Sequence, residues 1–201
     1  MKFVANAKPA SDAPAASAWS YGTGSAEAFI PFPMFDADRW QGGAALPAAK
    51  SGKAFLRATG GEPGEGPEQA VIRRWTSPAA GAVAIEGTLR HAQPAVPFGD
   101  GVRARIVSSR HGELASWVVN GSTAETKLGG IKVEKGDTLD FIVDSRRDPE
   151  NDGFTWAPLI KLGEQTWNAK DDFAGPVIRP LTAWERYAQV LFETSEFAFV
   201  D

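Results

Sequence analysis

The chain has no cysteine and only two histidines, His91 and His111, in 201 residues. Without thiols there are no disulfides, no thiolate metal sites and no cysteine nucleophile. Neither histidine stands in an HExxH or other metal-binding spacing. No Gly-x-Ser-x-Gly nucleophile elbow is present. The glycine-rich stretches GTGSAE and TGGEPGEG lack the Gly-Lys-Ser/Thr ending of a phosphate-cradling loop. Positive charge is not in excess either: 21 Lys and Arg stand against 25 Asp and Glu, a net charge of -4. The basic residues are scattered, apart from Arg73-Arg74 and Arg146-Arg147. Nucleic-acid binders concentrate basic surface, so none is expected as a partner. No apolar run approaches the roughly 20 residues needed to span a bilayer. Met1-Lys2 is not followed by the apolar core of an export signal.

What the chain does contain is turns and aromatics: 21 Gly, 14 Pro and 7 Trp. Its length suits one domain, or one domain with an appendage, with a substantial core. Residues 1–18, rich in Ala, Pro and Ser, show neither helical nor strand period and read as a loose lead-in. Short β-type runs follow, each closed by turn residues. AVIRRW (Ala70 to Trp75) stops at Ser77-Pro78. GAVAIEGTL (Gly81 to Leu89) alternates Val83, Ile85, Gly87 and Leu89 on one face. VRARIV places Val102, Ala104 and Ile106 inward and Arg103 and Arg105 outward. IKVEKGDTLDFIVD reads as two strands, with Leu139, Phe141 and Val143 toward the core. FTWAPLIKL carries Pro158, which marks an edge or a bulge. Eight or more such strands predict an all-β fold over residues 19–175: a two-sheet antiparallel β-sandwich of jelly-roll type. Residues 176–201 form a proline-stiffened linker, from Pro176 to Pro180, and a C-terminal amphipathic helix. Thr182 and Glu185 fit a capping box, and Trp184, Tyr187, Ala188, Leu191 and Phe192 follow helical spacing, with an aromatic side expected to pack on a surface.

Three kinds of chemistry are candidates. Between strands lies DSRRDPENDG, where Asp144, Asp148, Asn151 and Asp152 are hard oxygen donors of the type calcium takes. Their spacing is not that of an EF-hand, and Asp-Pro and Asn-Asp-Gly are ordinary turn formers, so a solvated turn is the expectation and a structural calcium the alternative. No other cofactor is indicated. Paired catalytic carboxylates need only two acids about 5–10 Å apart, and nothing marks one pair among so many. The tryptophans say more. Trp19, Trp40, Trp75, Trp117, Trp156 and Trp167, with Tyr21, exceed what a small core needs, although packing is the ordinary role of each. An exposed indole is a flat platform for the C–H face of a sugar, whose hydroxyls bond to neighbouring polar groups. Trp40, Trp75 and Trp117 are the candidate platform, with His91, Arg103 and Arg105 as hydrogen-bonding partners. The arginines would favour an acidic or sulfated sugar through charge-assisted bonds.

The stretches WSYGTG, RWQGG, ATGGEPG, AVIRRWTSPAAGAVAIEGTLRH, GDGVRARIV, GDTLDFIVD and FTWAPLIKL resemble the β-sandwich region of large secreted planctomycete proteins that carry a cytochrome c domain and two domains of unknown function. PLTAWERYAQVLFETSEFAFVD is similar to the C-terminal end of the same family. The resemblance runs from Trp19 onward and implies a module of a longer, extracytoplasmic polypeptide with a carbohydrate-binding-like sandwich. The family's heme-binding Cys-x-x-Cys-His is absent, so no electron transfer is expected of this chain. Together these readings predict a non-catalytic module whose partners are a polysaccharide and the rest of its parent protein. The alternatives are a structural module that packs on parent domains and a polysaccharide lyase or hydrolase.

Overall fold

The structure, a computed structural model, describes residues 17–93, 99–176 and 183–193. Most of the lead-in, the linker residues 177–182 with the Thr182 cap, and the side chain of Phe192 lie outside them. The chain opens with β1 (Trp19–Gly24), β2 (Phe29–Pro31), β3 (Met34–Asp36), β4 (Arg39–Gln41), β5 (Phe55–Arg57) and β6 (Gly60–Glu62). It continues through β7 (Ala70–Thr76), β8 (Gly81–Glu86), β9 (Thr88–His91), β10 (Val102–Ser108), β11 (Gly112–Val119) and β12 (Thr123–Glu125). Last come β13 (Leu128–Val133), β14 (Thr138–Asp144), β15 (Phe154–Thr155), β16 (Leu159–Leu162), β17 (Gln165–Asn168) and a helix, α1 (Ala183–Glu193).

The strands form an antiparallel β-sandwich. One layer is a six-stranded sheet in the order β11-β10-β14-β7-β1-β2. The facing layer consists of a seven-stranded sheet, β12-β9-β15-β6-β5-β4-β3, and a four-stranded sheet, β13-β8-β16-β17. Their strand orders explain the division. β8 leads directly into β9, β12 into β13 and β15 into β16, so three neighbouring strands each leave one sheet and enter the other. The crossing points are Gly87, Thr126 and Trp156, and hydrogen bonds seal the resulting seam. Thr126 donates its N–H (2.8 Å) and its hydroxyl (2.9 Å) to the Gly87 carbonyl. The Trp156 indole in turn donates to the Thr126 hydroxyl at 2.9 Å. GAVAIEGTL and FTWAPLIKL, each continuous in apolar pattern, are therefore each broken into two strands.

The core lies between the layers and joins inward residues of all three sheets, among them Trp75 and Phe141, Leu56 and Leu89, and Ile85 and Ile160. Period-2 alternation delivers them. On β10 the buried positions are Val102, Ala104 and Ile106, with Arg103 and Arg105 between them on the other face. Each such Val, Leu or Ile contributes about 1.5–3 kcal/mol when fully buried.

Helix α1 departs from expectation. Along its apolar stripe Trp184 is 80% exposed, and Tyr187 and Val190 are 57% exposed. The stripe holds together through an edge-on contact between Trp184 and Tyr187, whose rings are 6.2 Å apart.

Candidate binding face

Cross-strand register places a set of charged side chains on the outer face of the six-stranded sheet. Arg103 stands opposite Asp144 and Val107 opposite Asp140, while Asp140 stands opposite Arg74 on the next strand. Directly opposed residues point to the same side, so all lie on one face, with Val107, Asp140 and Arg74 in one row across three strands. Arg74 grips Asp140 with both ends of its fork, Nε to Oδ1 and Nη2 to Oδ2, each at 2.7 Å. That bond to Asp140 is the main reason the Arg74 guanidinium holds its proton more tightly than usual. Arg103 Nε and Arg105 Nη2 both donate to Asp144 Oδ2, at 3.0 and 3.3 Å. Arg105 also faces Glu113 at 3.9 Å.

Beneath this polar row the outer face is apolar. Ala70, Ile72 and Ile142 are buried there, packed against Ala26, Phe29 and Val107. Phe29 can lie so low because Gly22 has no side chain: a Cβ there would meet the Ile30 carbonyl at 2.4 Å and the Phe29 ring at 2.7 Å. Arg74 stacks on the exposed side of that ring, 4.2 Å from its centroid. The turn before Phe29 carries Glu27, whose carboxylate accepts a 2.8 Å bond from the Ser25 hydroxyl. This bond, foremost, holds the Glu27 carboxyl below its usual range. On this face lies an open groove of about 500 Å³ whose lining includes Arg74, Arg105, Asp140, Glu27, Glu113 and Val107.

The six proposed ligand-contacting residues do not converge. Arg103 and Arg105 share the outer face. Trp75 is 0% exposed; its ring meets Trp167 edge-on at 5.3 Å in the core, so it has no face to offer a sugar. Trp117 stands opposite Ala104, on the inner side of the sheet, half-buried and edge-on to Trp156. Trp40, also half-buried, stacks on Tyr21 and donates its indole N–H to the Ala174 carbonyl at 2.8 Å, pinning the segment after β17. His91 is buried: Nδ1 accepts from the Gly121 N–H at 3.0 Å and Nε2 meets the Asn151 carbonyl at 2.6 Å. In the seven-stranded sheet β15, β6 and β5 separate it from the strand of Trp40.

The acidic loop is not simply a solvated turn. Asp144, Ser145 and Asp152 are buried. The Asp144 carboxylate is occupied, since Oδ2 takes both arginines and Oδ1 accepts the Arg146 N–H at 3.1 Å. Asp148 caps its own turn by accepting the Glu150 N–H at 3.1 Å, and Asn151 adopts a left-handed φ of 62°. Asp152 is 0% exposed, and neither of its oxygens has a hydrogen-bond partner. Burial, above all, pushes its carboxyl up to about 7; Lys53 opposes the shift, and Asp100, Asp148 and Glu62 add to it. Lys53 itself pairs with Glu62 at 2.9 Å and donates to the Pro149 carbonyl. Among the described residues no three His, Asp or Glu side chains converge in a way that could hold a metal ion. The four proposed calcium donors therefore do not form one ligand set: Asp144 is taken by arginines and Asp148 by its own turn.

Asp140, Glu27 and Phe29 were not singled out in the sequence, and Arg74 only as half of a basic pair. The available signal was the spacing of Asp140 and Asp144, which puts two acids on the polar face of an apolar strand. No family model and no curated protein matches the chain. Among solved structures it is similar to the PA14 domain of the MpAFP antifreeze protein, at 12% identity and a TM-score of 0.35, over 75% of this chain and 85% of that one. A likeness that distant carries nothing about ligand or activity.

Proposed function

We propose that this sandwich is a non-catalytic glycan-binding module, and that its site is the groove on the outer face of the six-stranded sheet. The observation that carries the reading is the groove's construction: guanidinium–carboxylate pairs already fixed by one another, set beside the apolar Ala26 and Val107. Sugars have polar edges and apolar C–H faces, and groups held in place before binding lose little freedom when a ligand arrives. Strand-borne side chains also hold their geometry better than loop-borne ones. Attachment to a longer extracytoplasmic protein belongs to the same proposal and rests on the sequence resemblance.

A glycan microarray followed by calorimetry tests it. Ala26→Trp, which fills the groove without breaking an ion pair, should abolish binding while the melting temperature stays close to that of the parent. Binding that survives this substitution would place the site elsewhere. Incubation with polysaccharide should release no reducing ends; release would favour the lyase or hydrolase reading.

One observation favours a second reading. The exposed Trp184–Tyr187–Val190 stripe suits docking on another domain of a parent polypeptide. Hydrogen exchange on the longer polypeptide would show protection of α1 if so, and none if the helix stays free.

A further inference from the structure

Every guanidinium that lines or borders the groove is already answered by a carboxylate. Arg74 is held by Asp140 at 2.7 Å, and Arg103 and Arg105 share Asp144. Two carboxylates remain at the opening. Glu113 reaches no closer to a cation than 3.9 Å from Arg105. Glu27 is exposed and bonded to a serine hydroxyl. The lining thus sets two arginines, Arg74 and Arg105, against three carboxylates, Glu27, Glu113 and Asp140. An incoming sulfate or uronate would face Glu27 and Glu113 without a free cation, and like charges in such proximity repel. Displacing Asp140 from Arg74 would instead leave a nearly buried carboxylate unpaired, which is costly.

We propose that the groove selects neutral polysaccharide segments that present adjacent hydroxyl groups, and rejects sulfated and uronic-acid polymers; this rests on the glycan-binding reading above. A hydroxyl both donates and accepts. One hydroxyl of a neighbouring pair donates to a carboxylate such as Glu113 while the other accepts from a guanidinium such as Arg105, so the sugar joins the existing pairs without breaking them. Ala26 and Val107 receive the C–H face of the ring. No net charge is neutralised, so binding has little electrostatic component for salt to screen.

The test is affinity electrophoresis of the full chain in gels containing matched polymers: dextran and dextran sulfate, neutral galactan and its sulfated form, mannan and alginate. The expected result is retardation by at least one neutral polymer, at least tenfold weaker retardation by its charged counterpart, and no loss between about 50 and 500 mM salt. The double variant Glu27→Lys/Glu113→Lys should then gain salt-sensitive retardation by the sulfated polymers. Equal or stronger binding of the sulfated member by the unmodified chain overturns this inference and leaves the glycan reading standing. No retardation by any neutral or charged polymer overturns the glycan reading itself.

Discussion

The Arg73 guanidinium lies 5.6 Å from the centre of the Phe173 ring, inside the sandwich. Its partners are oxygens and rings rather than a carboxylate. It donates to the Arg57 carbonyl and, at 3.1 Å, to the Gly60 carbonyl, with the Tyr21 ring 5.9 Å away. Burial pulls its pKa down to about 10, which leaves it charged at neutral pH. The same burial pushes the Tyr21 phenol up to about 12. Arg73 thus ties β7 to β5 and β6 and to the segment after β17. Arg73→Met keeps the apolar stem but leaves two carbonyls without a donor, at a cost of about 1–3 kcal/mol. Urea denaturation measures this; an unchanged midpoint would mean that water or a shifted backbone supplies the missing donors.

Trp75 and Arg74 are neighbours with opposite fates, and this separates what was legible in the sequence from what was not. The alternation in VRARIV and TLDFIVD assigned faces on β10 and β14 as observed, because side chains on a strand point alternately to its two sides. The same rule places Trp75 with Arg73 and Val71, in the core; the polar character of its chain neighbour Arg74 says nothing about its own face. Which residues stand opposite one another is a different matter. The meeting of Arg74 with Asp140 depends on a register between strands more than sixty residues apart, and no local pattern encodes that. Trp40 sits on a strand of three residues, too short to show a period. The break at Gly87 was hidden because apolar alternation continues across it.

Trp75→Ala should cost about 3–5 kcal/mol, the range for a large aromatic removed from a packed core. Thermal and chemical denaturation read this directly. A loss below about 1 kcal/mol would show that the ring is not integral to the core.

Asp152 gives the fold a pH dependence whose sign can be worked out. Its folded value of about 7 lies above the ordinary 3.8. Between these values the folded chain holds a proton that the unfolded chain has released, so this group's contribution to stability falls as pH rises through the window and levels off above it. Asp152→Asn removes the penalty. The variant should be more stable than the parent at about pH 8 and close to it near pH 4, with the difference opening between them. Parallel stability profiles, measured by urea midpoints, would count against the assignment.

At the seam, Thr126→Val removes the hydroxyl that accepts from the Trp156 indole and donates to Gly87. Valine has nearly the same shape, so the change tests the hydrogen bonds alone. A loss of about 1–3 kcal/mol is expected, because the indole N–H is buried and would have no partner. An equally stable variant would show that water replaces the hydroxyl.

Removing everything after residue 176 should leave the melting temperature unchanged, since Trp184, Tyr187 and Val190 of α1 are exposed. A fall of many degrees would mean that the helix docks on the sandwich in solution. Differential scanning calorimetry of the two chains decides between them.

The six-stranded sheet has a consequence for the order in which the protein is assembled during synthesis. Its central strand β7 is flanked by β1, from the start of the described chain, and by β14, which ends at Asp144. Until Asp144 has cleared the ribosome, β7 has only one of its two neighbours, and β10 and β11 have nothing to connect them to β7 and β1. Such distant pairings are slow to form, because the intervening chain must be ordered before the contacts reward it. Over that interval β7 and β10 lack β14, while β6 and β9 await β15 and β8 awaits β16. Chaperone capture should be strongest over that interval and end once β15 and β16 have emerged to join the facing sheets.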